Sequence, residues 1–379
     1  MTIAPQLLAA LDPPREVFFG FAIALVIALA LTPVIGSLAR RIGAVDEPGE
    51  RRLNTLPIPR LGGLALFFAI FIPSLTLLNL TKPQRAILLG AAVATAVGAI
   101  DDLRGLVWWQ KLSGQVLAAS VTAGLGVYID RFTFPVVGIQ ALPEWLGIAV
   151  TVLWIVAIMN MINFLDGLDG LAAGVCAISA FTFCLIALSL DRVQPAILSA
   201  IVLGAALGFL RHNYYPARIF MGDSGALLLG FVLAAISVQG LLKTAAAVAL
   251  AFPLFVLALP ILDTSFVVAR RLKHGKPIYE ADRSHLHHRF LERGFTQRQA
   301  VVTMYCWCAT LAGAALATRF MPPHEHGRWE LWPTLAAAAI GLVVIGVSAY
   351  VVYVLEIVKV ARPGSRRSAR QREREQHDA

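Results

Sequence analysis

The chain is poor in charge. Asp, Glu, Lys and Arg make up 15% of its 379 residues, against 58% hydrophobic residues and a mean hydropathy of +0.72. Soluble domains carry about 25% charged and about 45–50% apolar residues, so the composition is that of a membrane protein. Cysteine is scarce as well. Cys176, Cys184, Cys306 and Cys308 all fall inside apolar runs, which reads as small helical core residues and excludes a disulfide framework. Cys306 and Cys308 point to different sides of a helix, which removes a zinc site. The alternating segments of a membrane β-barrel are missing. So is any internal repeat, which removes the inverted-repeat plan of many transporters. No small-residue cleavage site follows the first apolar run, so that run is read as a retained span.

What is there is a series of apolar runs. About eleven are centred near residues 29, 70, 93, 120, 153, 179, 202, 231, 255, 309 and 345, and about 20 residues suffice to cross about 30 Å of hydrocarbon. The predicted fold is an all-α polytopic bundle of about eleven transmembrane helices. If the amino terminus lies outside, the inner loops and the tail after 359 hold about 24 of the 32 Lys and Arg, as the positive-inside rule requires. The carboxyl terminus is then cytoplasmic. One integral-membrane domain (1–360) is predicted, followed by a disordered basic tail (361–379) able to rest on anionic lipid. No nucleic-acid-binding motif accompanies the net charge of +9, so nucleic acid is not an expected partner. Assembly as a homodimer stays open.

Polarity is concentrated in four clusters: "GAIDDLRG" (Asp101, Asp102), "MNMINFLDGLDGLAAG" (Asn160, Asn163, Asp166, Asp169), "FMGDSGALLLG" (Asp223) and "ADRSHLHHRF" (His285, His287, His288). Each lies at a span end, and all fall on the predicted cytoplasmic side. Five aspartates at the bilayer centre would cost about 12–18 kcal/mol together, more than the about 5–15 kcal/mol of net stability of a typical protein. They are therefore expected at the interface or in a wet cavity. Gathered there they repel one another, and a divalent cation completed by substrate phosphates would relieve this, as Mg²⁺ commonly does. Asp166 and Asp169 share a face if a helix has begun there, whereas Asp101 and Asp102 diverge by about 100° on a helix. The glycines around Asp223 allow close approach of a ligand, and the following helix amino terminus favours anions. Imidazoles beside Arg283 and Arg289 suit anionic ligands.

The five segments "VDEPGERRLNTLPIPRLGG", "GAIDDLRGLVWWQKLSGQ", "NMINFLDGLDGLAAG", "FMGDSGALLLG" and "DRSHLHHRFLERG" resemble, in order, the motifs of the polyprenyl-phosphate N-acetylhexosamine-1-phosphate transferases. Within glycosyltransferase family 4 they are most similar to the WecA/TagO-like branch, a relative of MraY. The resemblance implies transfer of a sugar 1-phosphate from a UDP-sugar to a prenyl phosphate (undecaprenyl or decaprenyl phosphate) in the bacterial inner membrane, with release of UMP. It implies Mg²⁺, with Mn²⁺ as a substitute, held by Asp223 and Asn163. It places Asp101 and Asp102 toward the prenyl phosphate, Lys111 on the donor diphosphate, Phe220 and Asp169 on uracil, and Asp166 in the nucleotide pocket. His285, His287, His288 and Arg289 occupy the loop that contacts the sugar phosphate, which Asp263 is placed to help hold. One departure is "RRLN" where the family often reads "RKxH", so Asn54 is left out of the site.

"HLHH" followed by "RFLERGFTQRQA" resembles the enzymes that use UDP-N-acetylglucosamine, while MraY-type enzymes, which take the UDP-MurNAc-pentapeptide, have a "PIHHHFE"-like setting; another UDP-HexNAc remains a possible donor. An intramembrane prenyltransferase of the UbiA type is disfavoured because "DDLRG" lacks the third acid of a DDxxD run. A transporter would place its acids nearer mid-membrane.

Overall fold

The computed structural model describes residues 13–47, 56–134, 138–241, 286–320 and 331–354, with further positions at 257–258, 261–262, 264, 268, 271, 324–325 and 328–329. The architecture is an all-α polytopic bundle. In chain order the helices are α1 (Arg15–Arg41), α2 (Gly62–Leu77), α3 (Lys82–Arg104), α4 (Trp108–Gly124), α5 (Glu144–Leu165), α6 (Leu171–Ser189), α7 (Val193–Asn213), α8 (Gly222–Ile236), α9 (Leu286–Glu292), α10 (Gln297–Phe320) and α11 (Leu331–Val354). Among the described residues eight helices are long and apolar enough to cross a membrane, α8 by way of a π-helical continuation that carries its span to Gly240; α2, at 16 residues, is a shorter apolar helix. Ten of the predicted run centres fall within α1–α8, α10 and α11, and the eleventh, near 255, lies outside the described residues, as does the basic tail.

The centre of the bundle is α8. Every residue from Ser224 to Ile236 is buried, because α3, α5, α2, α6 and α7 all pack around it. The approach is close where glycine removes the side chain. A Cβ on Gly98 of α3 would lie 2.5 Å from the Asp223 backbone, and one on Gly63 of α2 would run into the Gly225 backbone. Small residues of this kind let helix backbones meet in a membrane, where apolar burial alone gives little drive to associate. The outer helix α1 meets α7 in the same way, since a Cβ on Gly204 or Gly208 of α7 would run into the α1 backbone, and it has a polar tie as well. Pro33 has no N–H to give the Leu29 carbonyl, and His212 Nε2 of α7 lies 3.2 Å from that oxygen.

Alternating helix directions bring one set of ends to a common face: the carboxyl ends of α1, α3, α5 and α7, and the amino ends of α2, α4, α6, α8 and α10. Backbone bonds stitch this face together, with Phe220 N–H donating to Pro59 O (2.9 Å) and Gly62 N–H to Phe220 O (3.0 Å). Two-stranded antiparallel ribbons supplement the helices; the first pairs Val45–Asp46 with Ile58–Pro59 beside this face. The four cysteines are free thiols in α6 and α10; three are buried as expected, whereas Cys306 faces outward.

Because the α3–α8 contact is backbone against backbone, Gly98→Ala is expected to cost about 1–3 kcal/mol through overpacking. Gly313→Ala in α10, where a Cβ meets open space, is expected to keep or slightly raise the melting temperature, because alanine suits a helix interior better than glycine. Thermal unfolding of the two variants in detergent checks both.

Candidate active site

Lys111 is the hub of the polar face. Helix α3 ends at Arg104 with Gly105 at φ +67°, a conformation glycine adopts without strain. Asp101 Oδ1 accepts the Leu106 N–H at 2.7 Å, closing the turn that sends the chain into α4 and brings Lys111 back over α3. The Lys111 ammonium then lies 2.7 Å from Asp223 Oδ2, 3.1 Å from Asp101 Oδ2 and 3.1 Å from Asn163 Oδ1. Asn163 Nδ2 donates in turn to Asp223 Oδ1. Four helices, α3, α4, α5 and α8, meet at one charged point.

Asp102 turns the other way, as expected for its neighbour on a helix. Its Oδ1 accepts the Asp223 N–H (2.8 Å), and its Oδ2 accepts both the Ser224 N–H (3.0 Å) and the Ser224 hydroxyl (2.7 Å). The first N–H groups of a helix have no partner within it, and α8 has no side-chain cap of its own. Asp102 supplies one from α3, with its negative charge at the favourable end of the helix dipole. Asp223 is thereby presented from a fixed backbone.

The "DGLDG" segment is a turn. Helix α5 ends at Leu165 and α6 begins only at Leu171, so Asp166 and Asp169 do not share a helical face. The turn is held from three sides. Asp169 Oδ2 accepts the Ala217 N–H at 2.8 Å, buried Asn213 accepts the Gly170 N–H and donates to Ile219 O, both at 3.0 Å, and the Tyr305 hydroxyl of α10 donates to Gly170 O at 2.5 Å. Burial, joined by repulsion from Asp223, Asp102 and Asp169, pushes the Asp166 carboxyl up to about 8. Burial raises Asp169 as well, opposed by hydrogen bonds from Ala217 and the Gln297 side chain.

These groups share one cleft of about 1070 Å³, lined by Asp101, Asp102, Asn163, Asp166, Asp169 and Asp223, with Phe220 beside them. Arg40, His212 and Arg218 line its other side. Lys111 reaches it through Asn163 and Asp223. The histidine loop is only partly described: His285 and Asp263 lie outside the described residues, and His287 and His288 belong to α9, with their side chains outside the description. Arg289, also on α9, is half-buried and does not line the cleft. The same short helix carries Phe290, 1% exposed, in one buried cluster with Leu165 and Leu168 of the aspartate turn. Ser224, Asn213 and Tyr305 were not foreseen. Ser224 sits inside the conspicuous "MGDSG", and Asn213 ends a helix just before "YYP"; Tyr305 leaves no local signal.

All oxygen donors around Lys111 are hard, and the ammonium among three of them marks a pocket built for positive charge, which fits Mg²⁺. Among the described residues no three His, Cys, Asp or Glu are grouped to hold a metal.

Two outcomes are expected. Asn213→Leu leaves the Gly170 N–H and Ile219 carbonyl unpaired, at about 1–3 kcal/mol each, read as a lower melting temperature. Asp166 holds its proton more tightly folded than unfolded, so its contribution to stability is fully present below pH ~4 and is lost as pH rises through about 8. In a chelator-treated sample, Asp166→Asn should therefore show a shallower fall of melting temperature between pH 5 and 9 than the parent.

Comparison with known proteins places the chain. Residues 85–241 match the model of Glycosyl transferase family 4. The chain is 37% identical over 291 residues to a probable undecaprenyl-phosphate N-acetylglucosaminyl 1-phosphate transferase of Bacillus subtilis, covering 76% of this chain and 81% of that protein. It is 35% identical over 361 residues to the decaprenyl-phosphate N-acetylglucosaminephosphotransferase of Mycobacterium leprae, covering 86% and 91%. A phospho-N-acetylmuramoyl-pentapeptide-transferase of Desulforudis audaxviator is 32% identical over 331 residues, covering 78% and 96%. With these relatives, and with the described parts of the motifs at one face of a helical bundle, the chain belongs to glycosyl transferase family 4, the polyprenyl-phosphate N-acetylhexosamine-1-phosphate transferases.

Proposed function

We propose that the protein transfers N-acetylglucosamine 1-phosphate from UDP-GlcNAc to a polyprenyl phosphate, undecaprenyl or decaprenyl, at the cytoplasmic face of a bacterial cell membrane. The products are UMP and a polyprenyl-diphospho-GlcNAc, the first lipid-linked intermediate of a cell-surface polysaccharide. The observation that carries this reading is the convergence of Lys111, Asp101, Asn163 and Asp223 from four helices at one point of the cleft. The relatives named for N-acetylglucosamine 1-phosphate transfer, at 35–37% identity, support this sugar over the muramoyl-pentapeptide donor.

A donor diphosphate and an acceptor phosphate repel, and the chemistry needs fixed positive charge where they meet. Lys111 supplies it and orients the donor diphosphate. Phe220 stacks on uracil, Asp169 hydrogen-bonds it, and Asp166 closes the nucleotide end of the cleft. The histidine loop with His285, His287, His288 and Arg289 meets the sugar phosphate. An oxygen of the prenyl phosphate attacks the sugar-bearing phosphorus; that bond forms as the bond to UMP breaks. The nucleophile is largely anionic near neutral pH, so Asp101 or Asp102 has only a residual proton to accept. Asp223 and Asn163 would hold Mg²⁺, with Mn²⁺ as a substitute, and the ion when bound would draw charge from the phosphate oxygens. Residues 1–360 act as one membrane domain, with 361–379 as a cytoplasmic tail.

Purified protein is expected to release UMP from UDP-GlcNAc only when polyprenyl phosphate and Mg²⁺ are both present, and to prefer it among UDP-sugars offered in parallel. Asp223→Asn is expected to lower the rate by about 10³-fold or more with an unchanged melting temperature; near-parent turnover would remove Asp223 from the site. Single cysteines at Arg104 and Arg192, in a cysteine-free background, should react with an impermeant reagent from opposite sides of the membrane, Arg104→Cys from the cytoplasm.

A further inference from the structure

Asn160 belongs to the same polar stretch as Asn163, yet it does not line the cleft. It faces α4, where Gln115 is fully buried. The two amides bond reciprocally. Gln115 Nε2 donates to Asn160 Oδ1 at 3.2 Å, and Asn160 Nδ2 donates to Gln115 Oε1 at 2.7 Å and to Val156 O at 2.8 Å. Gln115 lies one helical turn beyond Lys111 on α4, and Asn160 one turn before Asn163 on α5. The amide pair and the Lys111–Asn163 contact are therefore stacked along one seam between the same two helices.

This placement has a physical consequence. At membrane depth an unpaired amide is costly, so the two side chains hold to each other. A two-point bond fixes both the sliding and the rotation of one helix against the other, which apolar packing does weakly in lipid. Helix α4 needs such a fix: Leu112, Val116 and Leu117 are exposed on its outer side, at 39%, 39% and 56%, and it packs mainly on α3 and α5. Lysine carries a compact charge on a stem of limited reach, so a shift of α4 changes which oxygens its ammonium can meet.

We infer that Gln115 and Asn160 are positioning residues, an amide clasp that sets α4 on α5 so that the Lys111 ammonium stays among Asn163, Asp101 and Asp223. The catalytic consequence rests on the transferase reading; the positional one does not.

The test compares the full-length parent, Gln115→Met, and the exchanged pair Gln115→Asn with Asn160→Gln, all in detergent micelles. Acylation of Lys111 by acetic anhydride is followed by peptide mass spectrometry, with exposed Lys82 as internal reference, alongside steady-state UMP release. Gln115→Met, which takes the Gln115 partner from the Asn160 amide, is expected to fold with a modestly lower melting temperature, to speed Lys111 acylation by about fivefold relative to Lys82, and to lower kcat by about tenfold with KM for UDP-GlcNAc within about twofold. The exchanged pair is expected to restore both. Unchanged Lys111 acylation in folded Gln115→Met overturns the clasp. If Gln115→Met does not fold, the exchanged pair decides: parent-like protection supports the clasp, and raised acylation in a folded exchanged pair overturns it. Faster acylation with unchanged kcat upholds the clasp and sinks the role of Lys111 in transfer. A parent that releases no UMP sinks the transferase reading while the acylation result still decides the clasp.

Discussion

Six carboxylates around one cleft, of which Asp46 is paired with Arg60, make a structure that opposes itself. Two like charges 4 Å apart repel by about 4 kcal/mol at an effective dielectric of 20, and a low-dielectric surround raises that cost. The Lys111 ammonium, in contact with Asp101, Asp223 and the Asn163 amide oxygen, is the counter-charge that lets the helix ends come together. The rest of the arrangement follows from giving that ammonium a fixed place. The α3–α4 turn brings it back over α3, and the reciprocal amides behind it hold α4 against α5.

The remaining aspartates are distributed by partner. Asp102 is engaged by the amino terminus of α8, so its charge meets two backbone N–H groups and the Ser224 hydroxyl and not a cationic side chain. Asp169 is engaged by the Ala217 N–H. Asp166, with no such donor among the described residues, has its carboxyl pushed up to about 8 by burial and then by the neighbouring carboxylates. Each carboxylate thus meets a different environment within one cavity, the condition under which like groups take unlike roles.

Much of this could be read from residues alone. Helix spans were legible because hydrocarbon imposes a length on apolar runs, and the site because acids in an oily chain are expensive anywhere but at an edge. The divergence of Asp101 and Asp102 followed from helical geometry. What could not be read were pairings across long stretches of chain: that Asp102 would cap α8 more than a hundred residues later, that Asn213 would clamp the aspartate turn, or that Gln115 would find Asn160. The expected helical face for Asp166 and Asp169 gave way to a turn because Gly170, at φ +80°, delays the start of α6. Those outcomes depend on which helices become neighbours, and hydropathy carries no such information.

The glycine contacts at Gly63 and Gly98 lie behind Asp223, where α2 and α3 meet the backbone of α8. Neither glycine lines the cleft, so the backbone that presents Asp223 is set by helices in contact and not by the cavity wall. A side chain added at either glycine would part the helices and move Asp223 without touching a ligand, so an apparently remote substitution would read out at the centre of the site.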